Sequence, residues 1–235
     1  MGKNEFTIKT YNKSSIADEF PDYKDALTEI SNHAGFNPNG SFLDRWIELS
    51  DIISIVFVEG KPVGFSTAGK ILPDKNLIYI AATMVSEKYQ NRGFSSKLWL
   101  DSFKKALSKD IRCWLKPVYF IFRTQNPKLY SILNKKIAIY PNLNNKQLNK
   151  EEKEMVIQAA DIIWPNQELN VSEMIMPDAF KNTPWFLPDV DQINWSGNNQ
   201  VDAFFERKLQ LKEHGLDIFL ILGKIRLGLF MFFVK

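Results

Sequence analysis

The stretch that decides the fold is Leu77–Ser108, which reads LIYIAATMVSEKYQNRGFSSKLWLDSFKKALS. Its first part, Leu77–Val85, is apolar and rich in residue types that favour a buried strand. From Phe94 onward, apolar residues recur three or four apart with lysines between them, which is typical of an amphipathic helix. The stretch therefore predicts a strand, a short polar loop and a helix that begins at Gly93.

The junction between this loop and helix has the properties of an anion site. The first turn of a helix leaves backbone N–H groups without partners and carries partial positive charge. Gly93 lets an anion approach the backbone closely, and Ser95 and Ser96 add hydroxyl donors. Arg92 and Lys97 add full positive charges. From these residues alone, a phosphate or pyrophosphate site and an ordinary turn before a helix both remain open.

The loop is similar to the signature of a known family. Gln90-Asn91-Arg92-Gly93-Phe94-Ser95 resembles the Gln/Arg-x-x-Gly-x-Gly/Ala signature of the GNAT superfamily of N-acyltransferases. The preceding Val85–Tyr89 looks like the V-x-P-x-Y lead-in, with Glu87 where Pro is common. Ser95 stands where Gly or Ala is usual. In the family this loop holds the pyrophosphate of acetyl-coenzyme A on backbone amides.

The resemblance implies an α/β fold with a mixed, mostly antiparallel central sheet flanked by helices. We expect the 235 residues to form a single GNAT-like domain with its core at about 5–140. Residues 141–215 are expected to form a long C-terminal elaboration. The apolar segment 216–235 has Lys224 and Arg226 near its middle, which disfavours a membrane span and favours a terminal hairpin with a Gly-Lys-Ile-Arg turn.

Alternation, helical spacing and the positions of Pro and Gly predict the remaining elements. The helix that follows Gly40 is expected to have Ser41 as its N-cap. A helix over 14–34 is expected to break near Pro21. The other predicted strands are 5–11, 52–58, 63–72, 117–123 and 136–140, with two more in the terminal hairpin at 217–222 and 227–234, and the other predicted helices are 127–135, 149–163 and 202–212.

The resemblance also implies an acyl-coenzyme A site along this strand and loop. Backbone groups of Met84 and Val85 would pair with the pantetheine arm of the co-substrate. Asn126 is assigned to the cofactor side, because the family often has an Asn before the next helix. The residues assigned to the phosphates are Gln90, Asn91, Arg92, Gly93, Phe94, Ser95, Ser96 and Lys97.

The catalytic groups are less clearly marked. In the family, a Tyr seven residues after that Asn acts as general acid, but this position is Leu133 here. Tyr130 shares a helix face with Leu133, so an acid role and a packing role are both open for it. Tyr79 and Thr83 lie on one face of the predicted strand and are candidates to hold a water. Leu77–Val85 contains no Asp or Glu, so we assign no base.

In the family, the helix–loop–helix after the first strand lines the acceptor pocket. Phe36, Asp44 and Trp46, with Phe42 beside them, are therefore candidates for acceptor contacts. Core packing of the aromatic residues and helix capping by Asp44 are the alternatives. The expected acceptor is a small-molecule or peptide amine. Its identity, the acyl length and the oligomeric state, with a homodimer as one alternative, remain open.

Composition excludes several other classes. The 30 Lys and Arg nearly balance the 27 Asp and Glu and are scattered, so no nucleic-acid partner is expected. Two His and one Cys are too few for an ordinary zinc site, and no metal is expected. The single Cys113 excludes internal disulfides and favours a reducing, cytoplasmic location. The polar N-terminus predicts no signal peptide, and no membrane partner is expected.

The expected function is transfer of an acetyl or short acyl group from acyl-coenzyme A to an amine. The alternative is a non-catalytic acyl-coenzyme A-binding or interaction module on the same fold. Leu133 in place of the family's Tyr and the lack of an assigned base motivate this alternative.

Overall fold

The computed structural model describes residues 6–36, 40–108, 116–179, 193, 195–212 and 215–225. The chain divides into two compact units, one of residues 1–71 and 78–113 and the other of residues 72–77 and 114–235. Within the described ranges the fold is mixed α/β, with eight strands whose described pairs are antiparallel and with helices on the sheet faces. The predicted fold class is confirmed, whereas the single-domain organisation stays a prediction.

The first unit is built on four strands in the order β1-β2-β3-β4. Two short turns of 3₁₀ helix flank β4, and the second of them leads into the loop before α4. The elements are β1 (Phe6–Asn12), α1 (Ile16–Glu19), α2 (Tyr23–His33), α3 (Gly40–Glu48), β2 (Ile52–Val58), β3 (Lys61–Leu72), β4 (Leu77–Val85) and α4 (Phe94–Leu107).

A two-residue turn connects β2 and β3, and β3 begins at Lys61, two residues before its predicted start at 63. Glu59 and Gly60 both adopt the left-handed conformation, with φ of 52° and 78°. Positive φ at both central residues suits the twist of an antiparallel hairpin. The hairpin presents Val56 and Val58 to α4, where they form one apolar cluster with Phe94 and Leu98. This packing fixes α4 against the sheet.

The second unit is centred on its last described strand. Strand β8 (Ile218–Ile225) pairs antiparallel with β5 (Val118–Thr124), β6 (Ala138–Tyr140) and β7 (Ile175–Met176), and the described residues of the unit also form three helices. The elements are β5 (Val118–Thr124), α5 (Pro127–Asn134), β6 (Ala138–Tyr140), α6 (Lys150–Ile163), β7 (Ile175–Met176), α7 (Asn199–Leu209) and β8 (Ile218–Ile225).

The predicted turn of the terminal hairpin is wrong. Gly223–Ile225 continue β8 and pair with Val118–Phe120 of β5 instead of turning. The glycine is needed for close packing, because a Cβ at Gly223 would lie 1.9 Å from the ring of Phe120. The second predicted strand, 227–234, lies outside the described residues.

Most other predicted elements are confirmed to within a few residues. Strand β4 has the predicted bounds, and the break near Pro21 separates α1 from α2. One cap is wrong: α3 begins at Gly40, so Ser41 lies within the helix. At α6, Asn149 and Glu152 form a full capping box. Within the described ranges, no helix combines the length and apolarity that a membrane crossing requires.

Candidate functional site

The loop between β4 and α4 has an unusual backbone. After one turn of 3₁₀ helix at Glu87–Tyr89, Asn91 and Gly93 take the left-handed conformation, with φ of 60° and 76°. Asn tolerates this conformation better than most residues, and Gly adopts it freely. A Cβ added at Gly93 would meet no atom within 4 Å. The loop therefore turns back tightly and leaves the space beside the Gly93 Cα open.

Helix α4 begins at this open space without a side-chain cap. Gly93 is the N-cap residue and provides no side-chain hydrogen bond. Among the described residues, no group accepts a hydrogen bond from the backbone N–H of Phe94, Ser95 or Ser96. Both serines are exposed, whereas the ring of Phe94 is buried and lies 5.2 Å from that of Phe6. The buried ring anchors the first turn, and its N–H groups and positive dipole end are free for an anion.

Cations flank the helix start, each lying over an aromatic ring. The Arg92 guanidinium lies 5.2 Å from the ring centre of Tyr89, and its Nη2 donates to the Lys88 carbonyl at 3.4 Å. The Lys97 ammonium lies 4.1 Å from the ring centre of Phe6. Both side chains are exposed, and both add positive potential at the first turn of α4.

Gln90 connects the loop to the end of β4. Its Nε2 donates to the Val85 carbonyl at 3.1 Å, while Ser86 N–H donates to the Val63 carbonyl of β3 at 2.9 Å. Val85 is buried against α4, and Met84 is half-buried on the other face of the strand. The structure thus brings Met84, Val85 and the predicted phosphate residues together within one strand–loop–helix unit.

Tyr79 and Thr83 lie on the face of β4 that α4 covers. The Thr83 hydroxyl lies 2.8 Å from that of Ser66 on β3, and the Ser66 carbonyl accepts from Ser102 of α4 at 3.3 Å. Tyr79 is only 2% exposed. Their shared face agrees with the prediction, but Thr83 already has a protein partner there. This placement favours a structural role over that of water holder.

The predicted acceptor residues pack mainly against one another. The rings of Phe36 and Trp46 stack at 5.4 Å and are both buried, and Phe42 meets Trp46 edge-on at 6.5 Å. Asp44 is exposed and accepts from the Lys24 ammonium at 2.8 Å. Of the two alternatives for the aromatic residues, these contacts favour core packing.

Tyr130 lies in the second unit and is completely buried. Its ring packs against Phe204 and Phe205 of α7, and its hydroxyl donates to the Pro141 carbonyl at 2.9 Å. Burial raises the pKa of Tyr130 above the usual value, so the group stays protonated. The proton is nevertheless committed to a carbonyl within a core, and of the two roles left open for Tyr130 this arrangement favours packing.

Asn126 acts as a helix cap. Its Oδ1 accepts from Leu129 N–H at 3.0 Å, and its own N–H donates to the Thr124 hydroxyl at 3.0 Å. Pro127 follows at the first helical position, which completes a strong start for α5. Within the described ranges, no group of three or more His, Cys, Asp or Glu is arranged to hold a metal ion.

A strand, a glycine-containing loop and an uncapped helix together define a class of α/β protein that binds phosphate groups on backbone amides. The model of the Acetyltransferase (GNAT) family matches residues 16–125. This range includes β4, the loop and all of α4. Residues 16–125 are therefore similar to a GNAT acetyltransferase domain.

Solved structures of acetyltransferases are also similar to this chain. An Elizabethkingia anophelis GNAT acetyltransferase with acetyl-CoA bound is 15% identical, covering 95% of this chain and 100% of its own, at a TM-score of 0.49. A Staphylococcus aureus N-acetyltransferase is 18% identical; the match covers 57% of this chain and 85% of the other chain, at a TM-score of 0.36. The Escherichia coli ribosomal-protein-S18-alanine N-acetyltransferase is 14% identical; the match covers 63% of this chain and 87% of the other chain, at a TM-score of 0.41. No curated protein matches the sequence, and the family model carries the assignment.

Proposed function

We propose that the chain is an N-acyltransferase that moves an acetyl or other short acyl group from acyl-coenzyme A to an amine. The observation that carries the proposal is the start of α4, where three backbone N–H groups have no described acceptor and the space beside the left-handed Gly93 is open. The GNAT domain match over residues 16–125 includes this feature.

In this proposal, the diphosphate of the co-substrate binds at the first turn of α4. The N–H groups of Phe94, Ser95 and Ser96 donate to its oxygens, since hydrogen bonds to a charged acceptor are stronger than those between neutral groups. The serine hydroxyls add further donors. Arg92 and Lys97 supply charge from either side without losing their contacts with aromatic rings.

The pantetheine arm would then run along the end of β4, where Met84 and Val85 lie. Pairing of an extended ligand with a strand uses main-chain groups and gives affinity without specific side chains. The thioester would be held for attack by the neutral amine. A C–N bond forms at the acyl carbon, the C–S bond breaks, the amine loses a proton and the thiolate gains one. The thioester is already activated, so the protein contributes mainly orientation.

The acceptor is proposed only as a small-molecule or peptide amine. In this proposal the contacts described above hold the α2–α3 region in place. The residues that make them, Phe36, Trp46 and Asp44, would have this structural role and would supply no catalytic group. A reducing, cytoplasmic environment is part of the proposal, since Cys113 has no second cysteine to pair with in the sequence.

A second candidate is a module that binds acyl-coenzyme A without turnover. The burial of Tyr130 and its hydrogen bond to the Pro141 carbonyl favour this candidate. Tyr130 is the tyrosine nearest in sequence to Leu133, and in this arrangement it is not placed to act as a general acid. Leu133 has no proton to donate in its place.

The test is release of free thiol from acetyl-coenzyme A by the full chain in the presence of a panel of amines. The panel contains a polyamine, an aminoglycoside, free lysine and short peptides with free N-termini. The proposal predicts thiol release that depends on one class of amine and forms its acetylated product. Binding of acetyl-coenzyme A without release for any class would favour the binding module, and absence of binding would contradict both candidates.

A further inference from the structure

Each strand of the first unit carries one hydroxyl side chain at the same level of the sheet. The register pairs Thr10 of β1 with Ser54 of β2, and Ser54 with Ser66 of β3. The Ser66 hydroxyl lies 2.8 Å from that of Thr83 on β4. These four side chains, Thr10, Ser54, Ser66 and Thr83, form a line across the sheet that we call the hydroxyl row.

Helix α4 binds to the hydroxyl row through two adjacent residues. Asp101 Oδ2 accepts from the Thr10 hydroxyl and from the Ser54 hydroxyl, the latter at 3.1 Å. The Ser102 hydroxyl donates to the Ser66 carbonyl at 3.3 Å. The Thr10 and Ser54 hydroxyls are themselves 2.9 Å apart. Directional bonds therefore connect α4 to β1, β2 and β3 at a single level.

This polar contact interrupts an apolar interface. Ser54, Ser66 and Ser102 are each 0% exposed, and Asp101 is half-buried. Removing a hydroxyl or a carboxylate from water is unfavourable unless hydrogen bonds compensate for it, and apolar side chains at these positions would avoid that cost. Stability alone therefore does not explain why the contact between α4 and the sheet is polar here.

The contact between Asp101 and the hydroxyl row lies close enough to the start of α4 to control the orientation of its first turn. Asp101 is six residues beyond Ser95, which is about 9 Å along the helix axis. Apolar packing is non-directional and tolerates small rotations of a helix, whereas a hydrogen bond weakens steeply when it is misaligned. The two bonds to Asp101 thus fix both the rotation and the axial position of α4.

We infer that Asp101 is a positioning residue, which through the hydroxyl row holds the first turn of α4 in the orientation that binds the diphosphate of acyl-coenzyme A. The inference rests on the proposed function, because it assigns the diphosphate to that turn. Asp101 does not touch the ligand and acts only through the helix.

The test compares coenzyme A affinities by calorimetry for matched variants of the full chain. Asp101→Leu removes both acceptor oxygens, and Asp101→Asn keeps one. Thr10→Val and Thr10→Ser form a second pair, which serves if Asp101→Leu does not fold. Leu107→Val is the control, because Leu107 is buried at the far end of α4 and lies outside the hydroxyl row.

All affinities are measured at a temperature at which every variant used is folded. Positioning predicts about tenfold weaker binding for Asp101→Leu and Thr10→Val, the cost of one charge-assisted bond. It predicts a smaller loss for Asp101→Asn and Thr10→Ser, and none for Leu107→Val. It also predicts that the NMR amide resonances of Ser95 and Ser96 shift in ligand-free Asp101→Leu but not in Leu107→Val.

Two results would overturn the inference alone. They are wild-type affinity in both Asp101→Leu and Thr10→Val, or an equal loss of affinity in the Leu107→Val control. Failure of the wild type to bind coenzyme A would overturn the proposed function and this inference with it, so the wild-type titration separates the two failures.

Discussion

The start of α4 and the surroundings of Tyr130 are two parts of the same predicted site with opposite physical character. At Gly93 the backbone is left-handed, the space in front is open and the next three N–H groups have no described partner. At Tyr130 the side chain is 0% exposed and its hydroxyl already donates to a carbonyl. An anion site consists of unsatisfied donors, whereas a satisfied and buried group contributes to the fold. The comparison therefore supports the proposal of ligand binding at the first region and of a stabilising role at the second.

The largest expected effect is that of Gly93→Glu. The new side chain fills the open space and puts a negative charge beside the N–H groups, so binding of acetyl-coenzyme A should weaken at least about 100-fold, the loss of two charge-assisted hydrogen bonds. Calorimetry measures the change. Gly197→Glu is the matched control, since Gly197 has nearly the same φ and equally open space in a loop just before α7. An equal loss of acetyl-coenzyme A affinity in both variants would indicate that Gly93 is part of an ordinary turn and not of a binding site.

For substitutions of Tyr130, the comparison predicts a loss of folding stability and no loss of catalytic turnover. Tyr130→Ala should lower the free energy of unfolding by about 3–5 kcal/mol, as for other large aromatic side chains in cores. Tyr130→Phe should cost about 0.5–1.5 kcal/mol, the value of one hydrogen bond. Chemical denaturation measures both. Loss of turnover in Tyr130→Phe, with unchanged affinity for acetyl-coenzyme A, would restore the acid role.

Smaller effects are expected from the cations beside the loop. Lys97→Gln and Arg92→Gln should each weaken coenzyme A binding by at most about fivefold, because exposed charge pairs contribute about 0.2–1 kcal/mol. Lys104→Gln is the control on the same helix, about 10 Å further along its axis. The effects should shrink in high salt, which screens exposed charges. A salt-independent loss would indicate that these side chains make buried contacts with the ligand.

The smallest predicted effect concerns alkaline pH. Burial raises the pKa of Tyr130 in the folded state above its unfolded value of about 10. The folded state thus holds the proton more tightly, and the resulting stability is fully present below pH 10 and is lost as the pH rises above it. Wild-type stability should therefore decline more steeply than that of Tyr130→Phe above pH 10. Parallel pH profiles in denaturation experiments would contradict the buried, neutral state.

The sequence predicts those features that depend on local chemistry. The bounds of β4 and the start of α4 after Gly93 follow from residue pattern and backbone preference, and they are confirmed. The helix predicted at 149–163 is confirmed as well, at Lys150–Ile163.

Features that depend on tertiary contacts could not be predicted. Gly223 looks like a turn residue in the sequence. In the structure it lies within β8, and a glycine is needed there because the ring of Phe120 on the neighbouring strand occupies the space of a Cβ. The role of Asp101 was missed, because its partners come from β1 and β2, far away in the sequence. Ser54, the single hydroxyl residue inside the apolar strand β2, was the available signal, but it is informative only when the register is known.

The most direct test of the account compares acetyl-coenzyme A with acetyl-pantetheine in calorimetric titrations of the wild-type chain. The two ligands share the thioester and the pantetheine arm, and only acetyl-coenzyme A has the diphosphate. If the first turn of α4 binds the diphosphate, acetyl-coenzyme A should bind at least about 100-fold more tightly. Equal affinities, or no binding of either ligand, would contradict the assignment of the site.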